Sequence, residues 1–155
     1  MSLFSPVHLG ALALSNRVVM APLTRVRAGK SGVPNDLMVQ HYAQRASTGL
    51  IVSEGVFPSP ESRAFVGQPG IVTEEQVAGW HRVTDAVHAE GGLIVMQLMH
   101  GGRVTHENIT GGLTPVAPSA IAIDGVTRTE VGKEPFPVPR EIATDEIPAV
   151  IADLV

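Results

Sequence analysis

Three apolar runs of the sequence each end in polar or very small residues, a pattern typical of strands that deliver side chains to a site. Thr24 follows the run VVM, Glu54 and Gly55 end the run LIVSEG, and Gln97 and His100 end the run LIVMQLMH. The carboxyl ends of parallel strands lie along one edge of a sheet, where ligand sites are built. We therefore expect a hydroxyl, a carboxylate, bare backbone, an amide and an imidazole to lie close together.

Gln97 is the most informative of these residues because it ends an otherwise apolar strand. Burying a primary amide without partners costs roughly 1–3 kcal/mol. Gln97 offers two donors and an acceptor, Thr24 offers a hydroxyl, and Gly55 lets a flat ligand lie against the backbone. Together they suit a planar heterocycle such as the pyrimidine edge of a flavin, a pyrimidine or a purine. The alternative is that Gln97 binds the backbone of a neighbouring strand.

Other chemistry has weaker support. His100 and His106 suggest a metal, but no third ligand stands at a usable spacing, so no metal site is expected. Glu54 could act as a general base, and its place beside Gly55 favours a structural hydrogen bond instead. Arg25 belongs either to the loop of the site or to the surface.

The order of the elements predicts a parallel α/β sheet. The segment LFSPVHLGALALSNR is expected to form a small hairpin that turns at Gly10, and three short buried strands follow, separated by two helices. Three parallel strands would leave two unpaired edges, and a (β/α)8 barrel typically takes about 250 residues. Residues 1–155 are therefore expected to be the N-terminal portion, about three βα units, of a single barrel.

Local signals predict where the two helices begin and end. The first is expected to begin at Asn35 or Asp36 and to end near Gly49. The second is expected to begin at a capping box of Thr73 and Gln76 and to end at Gly91-Gly92. Their predicted apolar faces comprise Met38, Tyr42 and Ala46 in the first helix, and Val77, Trp80, Thr84 and Val87 in the second.

Beyond the third strand the sequence predicts a surface hairpin and a last helix. The segment AIAIDGVTRTEV is expected to turn at Asp124-Gly125. Thr144 is expected to cap the helix DEIPAVIADLV, with Pro148 tolerated in its first turn.

Composition excludes several classes of function. The net charge is −4 and no basic stretch suggests a nucleic-acid partner. The chain has no cysteine, which excludes a disulfide framework, a thiolate metal site and a thiol nucleophile. No apolar run approaches the ~18 residues of a membrane span, and the N-terminus lacks a signal pattern. We expect a cytoplasmic protein.

Four segments, NRVVMAPLTRVRA, HYAQRASTGLIVSEG, QPGIVTEEQVAGW and QLMHGGRVTH, resemble the Old Yellow Enzyme family of FMN-dependent ene-reductases. They occur in the family's order and cover nearly the whole chain. The resemblance implies a (β/α)8 TIM barrel capped by the N-terminal hairpin, with FMN at the carboxyl mouth of the barrel.

The resemblance also assigns residues to the site. Ala21, Pro22 and Leu23 would line the flavin, and the Thr24 hydroxyl would donate to the ring carbonyl. Gly55 would touch the ring through its backbone. Gln97 would pair with the pyrimidine edge, so that the cofactor satisfies its amide.

Phe65 and Met99 depart from what many relatives carry, a tyrosine and a tryptophan respectively. Both would face the substrate, so a roomier and less polar pocket is expected. The alternative is that either residue is ordinary packing.

The family's activity is hydride transfer from NADPH or NADH, through FMN, to an activated alkene such as an α,β-unsaturated ketone. The catalytic residues that grip the carbonyl and supply the proton follow later strands, so none is expected in this chain. Activity would need a complementing C-terminal half as partner, and a homo-oligomer is possible. Two alternatives stand: a non-catalytic half-barrel that self-associates as a binding or structural module, and a dienoyl-reductase relative whose iron–sulfur cluster would need cysteines beyond this chain.

Overall fold

A three-stranded parallel sheet forms the centre of this computed structural model, which describes residues 2–155. The strands β3 (Val19–Met20), β4 (Leu50–Val56) and β5 (Ile94–Leu98) lie in that order, with β4 in the middle. Helix α1 (Asp36–Ala43) connects β3 to β4, and helix α2 (Glu74–Ala89) connects β4 to β5. The prediction of an α/β fold with parallel strands joined by helices is therefore confirmed.

Shorter elements surround this sheet. Strands β1 (Val7–Leu9) and β2 (Leu12–Leu14) pair antiparallel, with Gly10 at φ 58° in the turn between them. A one-turn 3-10 helix covers Pro60–Ser62. After β5 the elements are α3 (Glu107–Thr110), β6 (Val116–Ala117), β7 (Val126–Thr129), β8 (Gly132–Pro135), β9 (Arg140–Glu141), a 3-10 turn (Thr144–Glu146) and α4 (Ile147–Ala152).

The core lies between the sheet and the two crossover helices. Its buried side chains are mostly large and apolar, and the rings of Tyr42 and Trp80 lie 6.1 Å apart. The cluster comprises Ala28, Met38, Tyr42, Ala46, Ile51, Val56, Trp80, Val83 and Val87. Helix α2 also packs closely against the segment before α1: an added Cβ at Gly79 would lie 2.7 Å from Pro34 Cδ.

The predicted start of each helix is confirmed. The Asn35 side chain accepts the Met38 N–H at 3.3 Å, which caps α1. Thr73 accepts the Gln76 N–H at 3.3 Å, and the Gln76 side chain accepts the Thr73 N–H in return, so the capping box is present.

The predicted end of α1 and the predicted face of α2 are wrong in part. Helix α1 ends at Ala43, before the predicted end near Gly49. Ala46 is buried as predicted, but it lies in a turn after the helix, in which its N–H donates to Ala43 O. The buried face of α2 runs through Trp80, Val83 and Val87. Val77 is 37% exposed because it lies one position off this face, and Thr84 is half-buried.

All three strands were predicted to be buried, but only β4 is. Val19 of β3 is 47% exposed, and Val95 and Leu98 of β5 are each 38% exposed. Among residues 2–155, β3 and β5 form the two edges of the sheet, so each pairs with β4 on one side and with no strand on the other. Apolar strands at open edges are the usual site of pairing with additional strands.

Two local predictions after β5 are also wrong. The β7–β8 hairpin turns at Glu130-Val131, not at Asp124-Gly125, because Thr129 pairs with Gly132 and its hydroxyl also accepts the Val131 N–H. The last helix is not capped by Thr144. The Glu146 carboxylate accepts the Ala143 N–H at 2.8 Å instead, and Pro148 lies in the first turn of α4 as expected.

No helix within residues 2–155 has the length and apolar character needed to cross a membrane.

The packing of α2 gives a stability test. Val83 is fully buried whereas Val77 is 37% exposed, so Val83→Ala leaves a cavity and Val77→Ala does not. We expect Val83→Ala to lower the free energy of unfolding by about 2 kcal/mol and Val77→Ala by less than about 0.5 kcal/mol. Urea titration of both variants measures this difference. Equal losses would contradict the observed face of α2.

Candidate functional site

The carboxyl end of the parallel sheet brings the predicted site residues together. Gly55 on β4 is the Cα partner of Gln97 on β5, which places them on adjacent strands about 4.8 Å apart. Thr24 lies four residues beyond β3, and the next residue, Arg25, donates its N–H to the Glu54 carboxylate at 2.9 Å. Thr24, Gly55 and Gln97 therefore lie at one end of the sheet.

The side-chain amide of Gln97 makes no hydrogen bond to any residue from 2 to 155, and neither does the Thr24 hydroxyl. Only the backbone of Gln97 is engaged, through an N–H that donates to Ser53 Oγ at 3.1 Å. The alternative in which the Gln97 amide binds a neighbouring strand is thus not observed in this part of the chain. Three donor hydrogens and two acceptor oxygens are left available to a ligand.

A β-bulge in β4 sets this arrangement. The register with β5 shifts between Val52 and Gly55, and Ser53 Oγ accepts the Gln97 N–H in place of a backbone carbonyl. Bulges re-aim side chains near functional sites. Here the bulge puts Gly55 opposite Gln97 and sends the Glu54 side chain to Tyr42 on α1.

The space beside Gly55 is taken up by a neighbouring side chain. A Cβ at Gly55 would lie 2.9 Å from Met99 Sδ and 3.2 Å from Met99 Cε. The Met99 backbone is fixed by its N–H, which donates to Val56 O at 2.9 Å. That a flat ligand lies against the backbone of Gly55 stays a prediction: the flexible thioether of Met99 lies over this glycine and can move aside at low cost.

A buried glutamine joins the next loop to Gly55, and sequence reasoning missed it. Gln68 is fully buried, and its Oε1 accepts the N–H groups of Ala64 and Phe65 at 2.8 and 3.3 Å. Its Nε2 donates to Gly55 O at 3.1 Å. This one amide therefore holds Phe65 in the neighbourhood of Gly55. A loop with no hydrophobic periodicity gave no signal for it.

Residues 21–23 follow β3 directly and are exposed. Leu23 is the most prominent, with 61% of its side chain accessible. Ala21 and Pro22 are exposed beside it, so these three residues offer an apolar surface next to Thr24.

Glu54 is a structural carboxylate, as the sequence analysis favoured. It is 1% exposed, its Oε2 accepts the Arg25 N–H, and its Oε1 accepts the Tyr42 hydroxyl at 3.3 Å. Tyr42 Oη in turn accepts the Glu54 N–H at 2.9 Å. Burial raises the pKa of Glu54, opposed by the N–H groups of Arg25 and Val26 and by the Tyr42 hydroxyl. No face of the carboxylate is left for a substrate.

The segment that Glu54 holds is strained. Val26 has φ 49°, a left-handed conformation that β-branched residues rarely adopt. Such a residue costs on the order of 1–3 kcal/mol and persists where its surroundings fix it. The neighbouring Ala28 N–H donates to Gly67 O at 2.9 Å, which gives the segment a second anchor.

His100 and His106 each use Nδ1 in a local backbone contact. His100 Nδ1 accepts the Gly102 N–H at 3.0 Å, and His106 Nδ1 accepts the Asn108 N–H at 3.1 Å. Across the described chain, no three histidine or carboxylate side chains are grouped to hold a metal ion.

Comparison with known proteins connects this geometry to a family. Residues 2–155 match the model of the NADH:flavin oxidoreductase / NADH oxidase family. The chain is 47% identical to flavin oxidoreductase hxnT of Emericella nidulans, over 97% of this chain and 40% of that protein. It is 43% identical to a probable flavin mononucleotide-dependent alkene reductase of Leishmania infantum, over 96% of this chain and 42% of that protein.

A solved structure gives the same result. The Old Yellow Enzyme homologue from Zymomonas mobilis superposes with a TM-score of 0.94 at 46% identity, over 99% of this chain and 43% of that one. The chain thus spans about two fifths of the length of the proteins that it matches.

The raised pKa of Glu54 has a consequence for stability. The folded protein holds the Glu54 proton more tightly than the unfolded chain, where the value is about 4.5. This contribution to stability is therefore present below that value and is lost as the pH rises through the folded-state pKa. Arg25 and Tyr42 are the groups that face the carboxylate.

We expect the free energy of unfolding of the wild type, relative to Glu54→Gln, to fall as the pH rises from about 4 to 8. Urea titration at a series of pH values measures it, with the exposed Glu90→Gln as control. Parallel curves for wild type and Glu54→Gln, or a difference that rises with pH, would contradict the burial of this carboxylate.

Proposed function

The chain belongs to the NADH:flavin oxidoreductase / NADH oxidase family, and from this premise we propose that it forms the flavin-binding floor of an FMN-dependent ene-reductase. The observation that carries the proposal is the pairing of Gly55 with Gln97, whose amide is unused within residues 2–155, beside the free hydroxyl of Thr24.

The residues present fit the pyrimidine edge of a flavin. An amide with two donors and an acceptor matches alternating carbonyl and N–H groups, and a hydroxyl nearby supplies one more donor. The exposed surface of Ala21, Pro22 and Leu23 is apolar, as a flat ring system requires. A purine or free pyrimidine would use the same polar groups, and the flavoprotein relatives favour the flavin.

When bound, FMN supplies two-electron transfer from NADPH or NADH to the β-carbon of an activated alkene such as an α,β-unsaturated ketone. Gln97 would hold the pyrimidine edge in place. The Thr24 hydroxyl would donate to a carbonyl of the bound ring, where it would favour the more negative, reduced form and so raise the reduction potential.

Phe65 and Met99 are proposed to line the substrate side of this floor. Gln68 and the Met99–Gly55 contact support this role because Gln68 links the Phe65 backbone to Gly55 and the Met99 side chain lies against Gly55. A phenylalanine contributes a ring with no hydroxyl, and a methionine is slim and flexible. The pocket would therefore be apolar and adaptable.

The remainder of a (β/α)8 barrel is proposed as the partner of residues 1–155. The exposed apolar residues Val19, Val95 and Leu98 stand on the two open strands of the sheet, where further strands would cover them. In barrels of this class the phosphate site is built after strands seven and eight, so this proposed remainder would hold the FMN phosphate. It would also supply the groups that grip the substrate and donate the proton, since this chain is proposed to hold none of them.

The amide of Gln97 can be tested through FMN affinity. We expect Gln97→Leu, in the protein that contains this chain, to weaken FMN binding by about 10–100-fold because the ring loses its polar partners. Quenching of flavin fluorescence on titration gives Kd. Gln40→Leu, a matched change on the exposed side of α1, should leave Kd unchanged. Equal affinities for Gln97→Leu and the wild type would reject this site.

Met99 can be tested through substrate size. With a set of enones of increasing bulk, we expect the wild type to keep more of its kcat/KM for bulky enones than Met99→Trp does, because an indole fills the space above Gly55. Steady-state kinetics on both proteins measure this. A wild type with no greater tolerance for bulk would place Met99 in ordinary packing.

A further inference from the structure

One buried carboxylate, that of Glu54, lies directly behind the proposed flavin floor. Glu54 precedes Gly55 on β4, and its side chain points away from the floor toward Tyr42 on α1. From there it reaches the backbone just after Thr24, on the neighbouring segment. We propose that Glu54 is a positioning residue that sets the orientation of the Thr24 hydroxyl. This inference rests on the proposed function.

The contact acts on the peptide that leaves Thr24. Because the peptide unit is planar, a hydrogen bond to the Arg25 N–H fixes the orientation of the whole Thr24–Arg25 peptide. That peptide includes the carbonyl of Thr24 and constrains the ψ angle of the residue. The direction of the hydroxyl depends on this backbone, so a bond at Arg25 is transmitted to Thr24 across one peptide.

The segment needs an external anchor. Strand β3 has only two residues, and residues 21–27 have no regular secondary structure. Val26, with φ 49°, has a conformation that it would leave if released. Thr24 therefore stands on a backbone whose local preferences do not hold it in place.

The anchor itself is rigid. The Tyr42 hydroxyl donates to Glu54 Oε1 and accepts the Glu54 N–H, so both the side chain and the backbone of Glu54 are held by one group. Tyr42 is 1% exposed and packs beside Trp80 in the core. Glu54 and Tyr42 thereby connect the backbone at Thr24 to the core of the protein.

A carboxylate suits this task better than an amide. When ionised it only accepts, and both of its oxygens face donors, the Arg25 N–H and the Tyr42 hydroxyl. Glutamine has the same shape, but its NH2 group would face one of those two donors. Glu54→Gln therefore weakens one of these two hydrogen bonds with little change of side-chain volume. Tyr42→Phe removes the hydrogen bond from the Tyr42 hydroxyl to the carboxylate and keeps the aromatic ring in the core.

The first test needs no cofactor. Hydrogen exchange of the protein that contains this chain reports the protection of the Arg25 amide. We expect exchange in residues 22–28 to be ~10-fold faster in Glu54→Gln, the equivalent of one lost hydrogen bond, and also faster in Tyr42→Phe. The exposed Glu90→Gln is the matched control and should exchange like the wild type there. Unchanged protection in both variants would overturn the proposal.

The second test asks whether Glu54 acts through Thr24. We expect Thr24→Val and Glu54→Gln each to lower the midpoint potential of bound FMN, and the double variant to match Thr24→Val alone. A residue with a merely structural role would add its effect in the Thr24→Val background, and such additivity would overturn the proposal.

The experiments distinguish a failure of the proposed function from a failure of the proposed role of Glu54. If the parent protein binds no FMN, the proposed function fails and the exchange experiment still decides whether Glu54 holds the segment. If FMN binds and Thr24→Val lowers the potential while Glu54→Gln does not, the role of Glu54 is overturned and the proposed function stands.

Discussion

The pairing of β4 with β5 through a bulge is the constraint on which the site depends. Because Ser53 Oγ replaces a backbone carbonyl as partner of the Gln97 N–H, Gly55 comes to lie opposite Gln97. The same irregularity directs Glu54 to the helix layer and to the segment after β3. This one bulge thus places the backbone of Gly55 and the amide of Gln97 side by side at the end of the sheet. It also directs the Glu54 carboxylate to the opposite side, toward the helices.

Buried polar side chains, rather than regular secondary structure, hold the loops around this end of the sheet. Glu54 secures the segment that carries Thr24, and Gln68 secures the segment that carries Phe65. Each is almost fully buried and its side-chain oxygen atoms are hydrogen-bonded, so each is held firmly. Removing one partner would leave a buried polar atom without a hydrogen bond, which lowers the stability of the fold. Gln97 differs from both because its amide is available to a ligand.

Sequence reasoning succeeded where a signal is local and failed where a distant contact decides. The Asn35 cap and the Thr73–Gln76 box follow from residues three apart, and both were predicted. The turn of the β7–β8 hairpin is an exception: it was misplaced at Asp124, although the contact between the Thr129 hydroxyl and the Val131 N–H is local. The residues proposed for the flavin came from the family's motifs, whereas Gln68 and the bulge at Ser53 depend on partners far along the chain and carry no periodic signal.

The central claim is that this end of the sheet is the floor of a flavin site. The most direct measurement is the visible absorption spectrum of the native protein that contains this chain, recorded after desalting. The account predicts a flavin band that co-elutes with the protein. A colourless protein that stays colourless after FMN is added and the excess removed would contradict it.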